Sequence, residues 1–264
     1  MGHQLPGFAR LQRGRLISNG LILACPFQDG SYNNNANGNL GDQIGQDFSG
    51  YQRHCSYIKF GPNAPPNTYG AGPVGGCINV FTGLNGVGLG FRVTPGGIGE
   101  PFNDMNLASG PGTMMCWANQ TDSTNGTTQT IVAKWSVTNG RAWLWSFSVT
   151  GTAANLLFTY SNTGSASTAN VTSSTTVNCG TWHHVAVTYN NTNFNCQQYI
   201  DGVNAGGGGS FASSVFNATA SAVCVGCDKE GTDDGNIGIS IADLRFYNRI
   251  LSVDEITRVA AGLG

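Results

Sequence analysis

The chain has 264 residues, a formal net charge of -2 and only 10% charged residues, against roughly 25% in an ordinary soluble domain. That balance argues against a basic nucleic-acid surface or a polybasic membrane-binding one, and no apolar run reaches the ~18 residues that a membrane-spanning helix needs. The length suits one large all-β domain or two small ones, with enough chain to bury a sizeable core.

The strong helix formers for exposed faces are scarce. Lysine occurs only at Lys59, Lys134 and Lys229, and glutamate only at Glu100, Glu230 and Glu255. A surface of Thr, Ser, Asn and Gly suits turns and strands. The eight cysteines are even in number and so permit bridges. However, Cys25, Cys77, Cys116 and Cys224 sit in apolar, strand-like runs, where a free thiol behaves as a small hydrophobe. Free thiols are therefore expected. Cys224-Val225-Gly226-Cys227 is a lone CxxC; zinc needs two more ligands at suitable spacing, and none follows.

Residues 1–19 carry Arg10, Arg13 and Arg15 with Gly and Pro and little periodicity, so they read as an arm ahead of a domain over 20–264. The run Leu21-Ile22-Leu23-Ala24-Cys25 behind those arginines is broken upstream by Ser18, Asn19 and Gly20, a poor signal core. The segment is expected to be mature protein, and the Asn-x-Thr triplets at Asn119, Asn125, Asn170, Asn190 and Asn217 are expected to be composition rather than glycosylation sites.

A first strand is predicted from Leu21 to Phe27 and a second from His54 to Phe60, with a long Asn/Gly loop between them. Asp47-Phe48-Ser49-Gly50 in that interval is a tight-turn sequence. Residues 61–76 look irregular. Short strands are predicted over 77–81 and 85–93, then a continuous apolar strand at Met114-Met115-Cys116-Trp117-Ala118. Strands over 130–135, 142–149 and 155–160 follow. In the second of these, Trp143, Trp145, Phe147 and Val149 share one face. Thr181 to Tyr189 alternates apolar and polar residues, and Cys196 to Ile200 forms the next strand, closed by Asp201-Gly202, a pair suited to positive φ. Residues 203–220 are small and polar. Strands over 222–226 and 237–247 precede Ser252-Val253-Asp254-Glu255, a capping box that opens one short helix to about Ala260, ended by Gly262.

Several of these segments carry a resemblance. Trp182-His183-His184-Val185-Ala186-Val187-Thr188-Tyr189 followed by Tyr199-Ile200-Asp201-Gly202-Val203 resembles the laminin-G-like, concanavalin-A-like lectin/glucanase family. So do the Phe27-Gln28-Asp29-Gly30-Ser31 turn, the Asp47–Gly50 turn, the Trp117-bearing strand and the closing segment Gly238–Ser252. The likeness is strong over 114–256, weaker over 21–93 and absent from the arm. It implies an all-β, two-sheet antiparallel jelly-roll sandwich of roughly a dozen strands with one short C-terminal helix.

Enzymes of the family place a carboxylate pair on one strand in an E-x-D-x-x-E pattern, to protonate the leaving oxygen and to attack or activate water. No glutamate here has such a partner, and Asp228, Glu230, Asp233 and Asp234 cluster in a Gly-rich loop where a solvated turn is the simpler reading. Glycosidase activity is not expected. His183 and His184 point to opposite faces and cannot form one site; His184 shares a face with Trp182 and is expected to be buried with a hydrogen-bond partner. No Gly-x-Ser-x-Gly elbow appears, and Gly86-Val87-Gly88-Leu89-Gly90 lacks the helix a phosphate loop requires.

Calcium is the metal that the resemblance admits, through Asp29 and Asp243 with carbonyls near Ser49 and Gly50; the competing role for Asp243 is a pair with Arg245 or Arg249. A sugar site would need exposed aromatic faces and amides. Trp143 and Trp145 are available, and burial in the core is the simpler reading for both. Family members with such arms occur in tailed-phage particles. The expected function is therefore a non-enzymatic virion surface protein, a capsid decoration or attachment component, assembled in the host cytoplasm. Arg10, Arg13 and Arg15 would anchor it to a major capsid or other shell protein, and a host-surface glycan and a homo-oligomer are admitted as partners. The alternative is a calcium-dependent carbohydrate-binding lectin module.

Overall fold

Trp182–Asn190 is a strand hydrogen-bonded on both sides, and its alternation places Val185, Val187 and Tyr189 on one face and His184, Ala186 and Thr188 on the other. The rest of the architecture is built on the same device. The structure, a computed structural model, describes residues 17–27, 43–45, 47–51, 53, 55–59, 69–80, 89–93, 105–121, 126–136, 140–167, 169–219, 221–227 and 238–264. In chain order these form β1 (Leu21–Cys25), β2 (Gln43–Gly45), β3 (Cys55–Lys59), β4 (Tyr69–Gly72), β5 (Gly75–Val80) and β6 (Leu89–Val93). There follow β7 (Gly112–Gln120), β8 (Thr128–Ser136), β9 (Gly140–Thr150), β10 (Ala153–Tyr160), β11 (Ala169–Asn178) and β12 (Trp182–Asn190). Last come β13 (Asn195–Ile200), β14 (Val203–Asn204), β15 (Gly209–Ser210), β16 (Val223–Val225), β17 (Ile239–Tyr247) and α1 (Val253–Ala260).

The described strands make two antiparallel sheets. One is nine-stranded, in the order β14-β13-β12-β7-β17-β5-β4, with β1 also on β17 and β15 also on β13. The other is eight-stranded, in the order β11-β10-β9-β8-β16-β6-β3-β2. This is the expected jelly-roll sandwich. Several stretches differ from expectation: residues 43–45, expected within a loop, form β2, and residues 203–204 and 209–210, for which no strand was expected, form β14 and β15. Residues 69–72, read as irregular, form β4, whose glycines hid the strand. Residues 169–178, for which no strand was expected, form β11, a Ser/Thr-rich edge with buried Val171, Ser173 and Val177.

The main core lies between the sheets. Met114, Cys116 and Ala118 of β7, Val185, Val187 and Tyr189 of β12, and Ile239, Ile241, Leu244 and Phe246 of β17 come from one side. Trp143, Trp145 and Phe147 of β9 and Leu156, Phe158 and Tyr160 of β10 come from the other. Each such side chain is worth about 1.5–3 kcal/mol on burial. One polar tie crosses this core: Gln198 of β13 accepts from Trp145 Nε1 at 3.3 Å and donates to the carbonyls of Leu156 and Val171.

Outside the nine-stranded sheet, α1 buries Ile256 and Val259 against Met115, Ala186, Tyr199 and Tyr247. Its start is the expected capping box: the Glu255 amide donates to Ser252 Oγ and the Ser252 amide to Glu255 Oε2. Ile17 packs on this same cluster, and Arg249 donates to the Asn19 carbonyl at 2.7 Å. The last residues of the expected arm thus lie against the sandwich; residues 1–16, with Arg10, Arg13 and Arg15, are outside the described residues.

The Asp47 turn does more than reverse the chain. Buried Asp47 accepts from the amides of Ala24, Ser49 and Arg53 and from Ser49 Oγ, at 2.7–2.9 Å. Arg53, also buried, donates to the Ile22 carbonyl at 2.6 Å. One carboxylate therefore fixes β1 relative to the chain entering β3.

Candidate functional site: the uncovered half of the larger sheet

The helix covers only half of the outer face of the nine-stranded sheet. Cross-strand register assigns the other half, because residues directly opposite in antiparallel strands share a face. Trp182 stands opposite Asn119, Asn119 opposite Ser240, and Ser240 opposite Asn79, across β12, β7, β17 and β5. Ser240 Oγ donates to Asn79 Oδ1 at 2.6 Å, which joins the end of this row. In the next row His184 stands opposite Trp117, and Trp117 opposite Ala242. The Trp117 and His184 rings meet edge to face with centroids 5.6 Å apart. Farther along, Met115 and Ala186 lie under α1.

Both indoles on this half, Trp117 and Trp182, are partly exposed, as are the amides Asn79 and Asn119. On the side away from α1, the β4–β5 hairpin comes in close: a Cβ added at Gly72 would stand 3.1 Å from the Ala242 methyl, and one at Gly70 would stand 2.9 Å from the Asn79 amide. A side chain at either position would push its neighbour aside by a few tenths of an ångström.

Among the described residues, several polar atoms of this region meet no hydrogen-bond partner. Trp117 Nε1, Asn119 Oδ1, both ring nitrogens of His184 and Arg245 Nη1 are buried without a hydrogen bond. Leaving such a group unpaired costs about 1–3 kcal/mol each. Burial, opposed in part by the Asp243 charge, brings the His184 pKa down to about 4. His184 is therefore neutral at neutral pH, with one donor and one acceptor nitrogen. Its burial, 1% exposed, matches expectation. The expected hydrogen-bond partner is not found among the described residues; the strand opposite presents the Trp117 indole to the ring.

His183 points to the other face. Its Nδ1 lies 2.8 Å from Asp201 Oδ2, and the other Asp201 oxygen accepts the His184 amide at 2.9 Å. Asp201 and Gly202 hold φ of 51° and 79°, the hairpin geometry expected of that pair. This carboxylate is occupied in locking a turn.

Asp243 sits in a β-bulge of β17 with φ 50°, and both its oxygens accept from Arg245, at 3.0 Å from Nε and 2.8 Å from Nη2. That is the competing ion pair considered for it above. Asp243 faces a guanidinium in place of open coordination positions, and Ser49 Oγ is bonded to Asp47. Asp29 lies outside the described residues, as do Glu100, Asp228, Glu230, Asp233 and Asp234. Among the described residues no three His, Cys, Asp or Glu side chains gather as a metal site would require. Asp243 is also the only acid on a described strand. Trp143 and Trp145 are fully buried in the main core. On the half of the outer face that α1 leaves open, the described aromatics with exposed surface are Trp117 and Trp182, neither of them expected from the sequence to bind a sugar.

The two antiparallel sheets, with one outer face half covered by α1, define a jelly-roll sandwich. The profile of the concanavalin A-like lectin/glucanases superfamily matches residues 96–257, and the chain belongs to that family. No curated protein matches it. Among solved structures it is similar to the binding domain of Paraclostridial Mosquitocidal Protein 1, with TM-score 0.61 and 16% identity over 92% of this chain and 52% of that one. It is likewise similar to a botulinum neurotoxin type C structure whose cell entry depends on two ganglioside molecules, with TM-score 0.58 and 16% identity over 94% and 52%. A third is the binding domain of botulinum neurotoxin DC in complex with rat synaptotagmin II, with TM-score 0.58 and 14% identity over 94% and 53%. The chain spans about half the length of these structures, and at such identity the likeness is one of fold. No described helix is long and apolar enough to cross a membrane.

Proposed function

We propose that this chain is a non-catalytic recognition module that binds a neutral glycan on the open half of its nine-stranded sheet. The observation that carries the reading is the pair of partly exposed indoles, Trp117 and Trp182, set among Asn79, Asn119 and Ser240. Sugar rings stack on indole faces, and their hydroxyls both donate and accept. The partly exposed Asn79 and Asn119 amides of this face likewise carry both donors and acceptors. A charged glycan is a poorer fit, since the Arg245 and Asp243 charges are spent on each other. The binding domains with this fold support the class of function, and a sheet that carries one acid supports binding without catalysis.

We place the module on a virion surface, as a capsid decoration or attachment component whose arm, with Arg10, Arg13 and Arg15, docks on a shell protein. The low-charge Thr/Ser/Asn surface and the family's occurrence in phage particles support that setting. The calcium-dependent version would run through Asp29 and Asp243. Because Asp243 meets Arg245, we favour binding without a metal.

The test is a glycan array probed with the full chain, in calcium and again in EDTA. Retention of a neutral glycan in both is expected, with Trp182→Ala weakening it at least about tenfold, or ~1.4 kcal/mol, and leaving the fold intact by circular dichroism. Loss in EDTA would favour the calcium route. No retained glycan, or unchanged affinity in a Trp117→Ala/Trp182→Ala double variant that still folds, would overturn the site.

A further inference from the structure

None of the eight cysteines is bridged, yet two of them face each other across the sandwich. Cys25, on β1 of the nine-stranded sheet, and Cys55, on β3 of the eight-stranded sheet, have Sγ atoms 3.5 Å apart, and both residues are wholly buried. Their positions are set by ties that involve neither sulfur. Asp47 accepts the amide of Ala24, the residue before Cys25, and the amide of Arg53, two residues before Cys55, each at 2.9 Å. The Arg53 guanidinium then reaches the Ile22 carbonyl. Both backbones that carry the thiols are therefore anchored to one buried carboxylate–guanidinium unit.

We propose that Cys25 and Cys55 are an oxidation site, closing to an inter-sheet disulfide under a small peroxide. A disulfide needs about 2.05 Å between sulfurs, so the pair must close by ~1.5 Å, within reach of side-chain rotation plus a small strand shift. Hydrogen peroxide is the oxidant class, small enough to reach sulfurs that a bulky thiol reagent cannot. One thiol, as its thiolate, attacks a peroxide oxygen. The O–O bond breaks, the departing hydroxide takes up a proton as water, and a sulfenic acid remains. The second sulfur attacks the sulfenyl sulfur, the S–S bond forms and the S–O bond breaks. The hydroxide leaves with the second thiol's proton as another water, so two thiols and one peroxide give one disulfide and two waters. The resolving sulfur is already in contact, which favours the disulfide over the irreversible acids. The hydrogen bond to Cys55, and burial after it, push the Cys25 thiol well up, so the reaction is slow and quickens as pH rises.

The bridge would tie β1 to the opposite sheet and constrain the unfolded chain between the two positions. To test it, the full chain is treated with hydrogen peroxide under native conditions, quenched, unfolded, alkylated and mapped without reduction. The expected result is a peptide pair linked through Cys25 and Cys55, with the other six cysteines alkylated. Melting should rise by roughly 5–10 °C and return to its starting value with dithiothreitol. In Cys55→Ser the link disappears and Cys25 proceeds to sulfinic acid. Full alkylation of all eight cysteines after treatment, or a link confined to Cys224 and Cys227, would overturn the proposal; neither result depends on a variant folding.

Discussion

His184 is a histidine enclosed beside an indole, with a carboxylate and a guanidinium close enough to act on it in opposite senses. Its folded-state pKa of about 4 lies below the ordinary 6.5. As pH falls, the unfolded chain takes up the imidazole proton first. The stability this residue confers is whole above pH ~6.5 and is lost progressively down to about 4, by about 3 kcal/mol in total. Urea midpoints at pH 7 and pH 4.5 should therefore fall steeply in the wild type and much less in His184→Phe. A wild type with equal midpoints would refute the burial argument. Glu255 acts in a separate window. The Arg249 hydrogen bonds hold its carboxyl down to about 2, so its contribution is lost only below pH ~4.5. That His183 and His184 face opposite ways follows from strand alternation alone. What each meets does not, because Asp201 reaches His183 through a hairpin turn and Trp117 reaches His184 from a strand far away in sequence.

Short segments differed in how openly they declared themselves. The helix did so fully: Ser252, Glu255 and Gly262 are start and stop signals whose hydrogen bonds are local. The edge strand β11 did not, because Ser and Thr supply little apolar contrast and its pairing with β10 comes from elsewhere in the chain. Beside β11 runs the glycine loop 206–209. The Ala205 carbonyl accepts the amides of Ser174 and Thr175, and Gly207, at φ 68°, passes so close to β11 that an added Cβ would stand 1.7 Å from the Thr172 carbonyl oxygen. Gly207→Ala is expected to cost at least about 3 kcal/mol, combining positive-φ strain with a backbone clash. Chemical denaturation measures it. Gly180→Ala, also at positive φ but with nothing near its Cβ, should cost only about 1 kcal/mol. Equal losses would mean that the close approach is unimportant.

The outer face of the nine-stranded sheet is divided into a half covered by α1, where Ile17 also packs, and an uncovered half that carries Trp117 and Trp182. Removing residues 1–16, and leaving Ile17 and Asn19 in their contacts, is expected to abolish shell decoration while preserving glycan affinity within about twofold. Full occupancy of shells by the truncated chain, scored by electron microscopy or co-sedimentation, would disprove the anchoring role.

A two-sheet β-sandwich, the hairpin at Asp201-Gly202, the Asp47 turn and the C-terminal helix were legible in the amino-acid order, because each rests on alternation, turn chemistry or capping among neighbours in the chain; the jelly-roll topology was implied by the family resemblance. Which of two equivalent strand faces became the interior was not legible. Trp143 and Trp145 look as available as Trp117 and Trp182 until the second sheet stacks on one set and α1 stops short of the other. The same holds for Cys25 and Cys55, whose contact exists only because Asp47 draws strands of different sheets together. Period-two patterning specifies that a strand has two sides; only long-range packing assigns one of them to solvent.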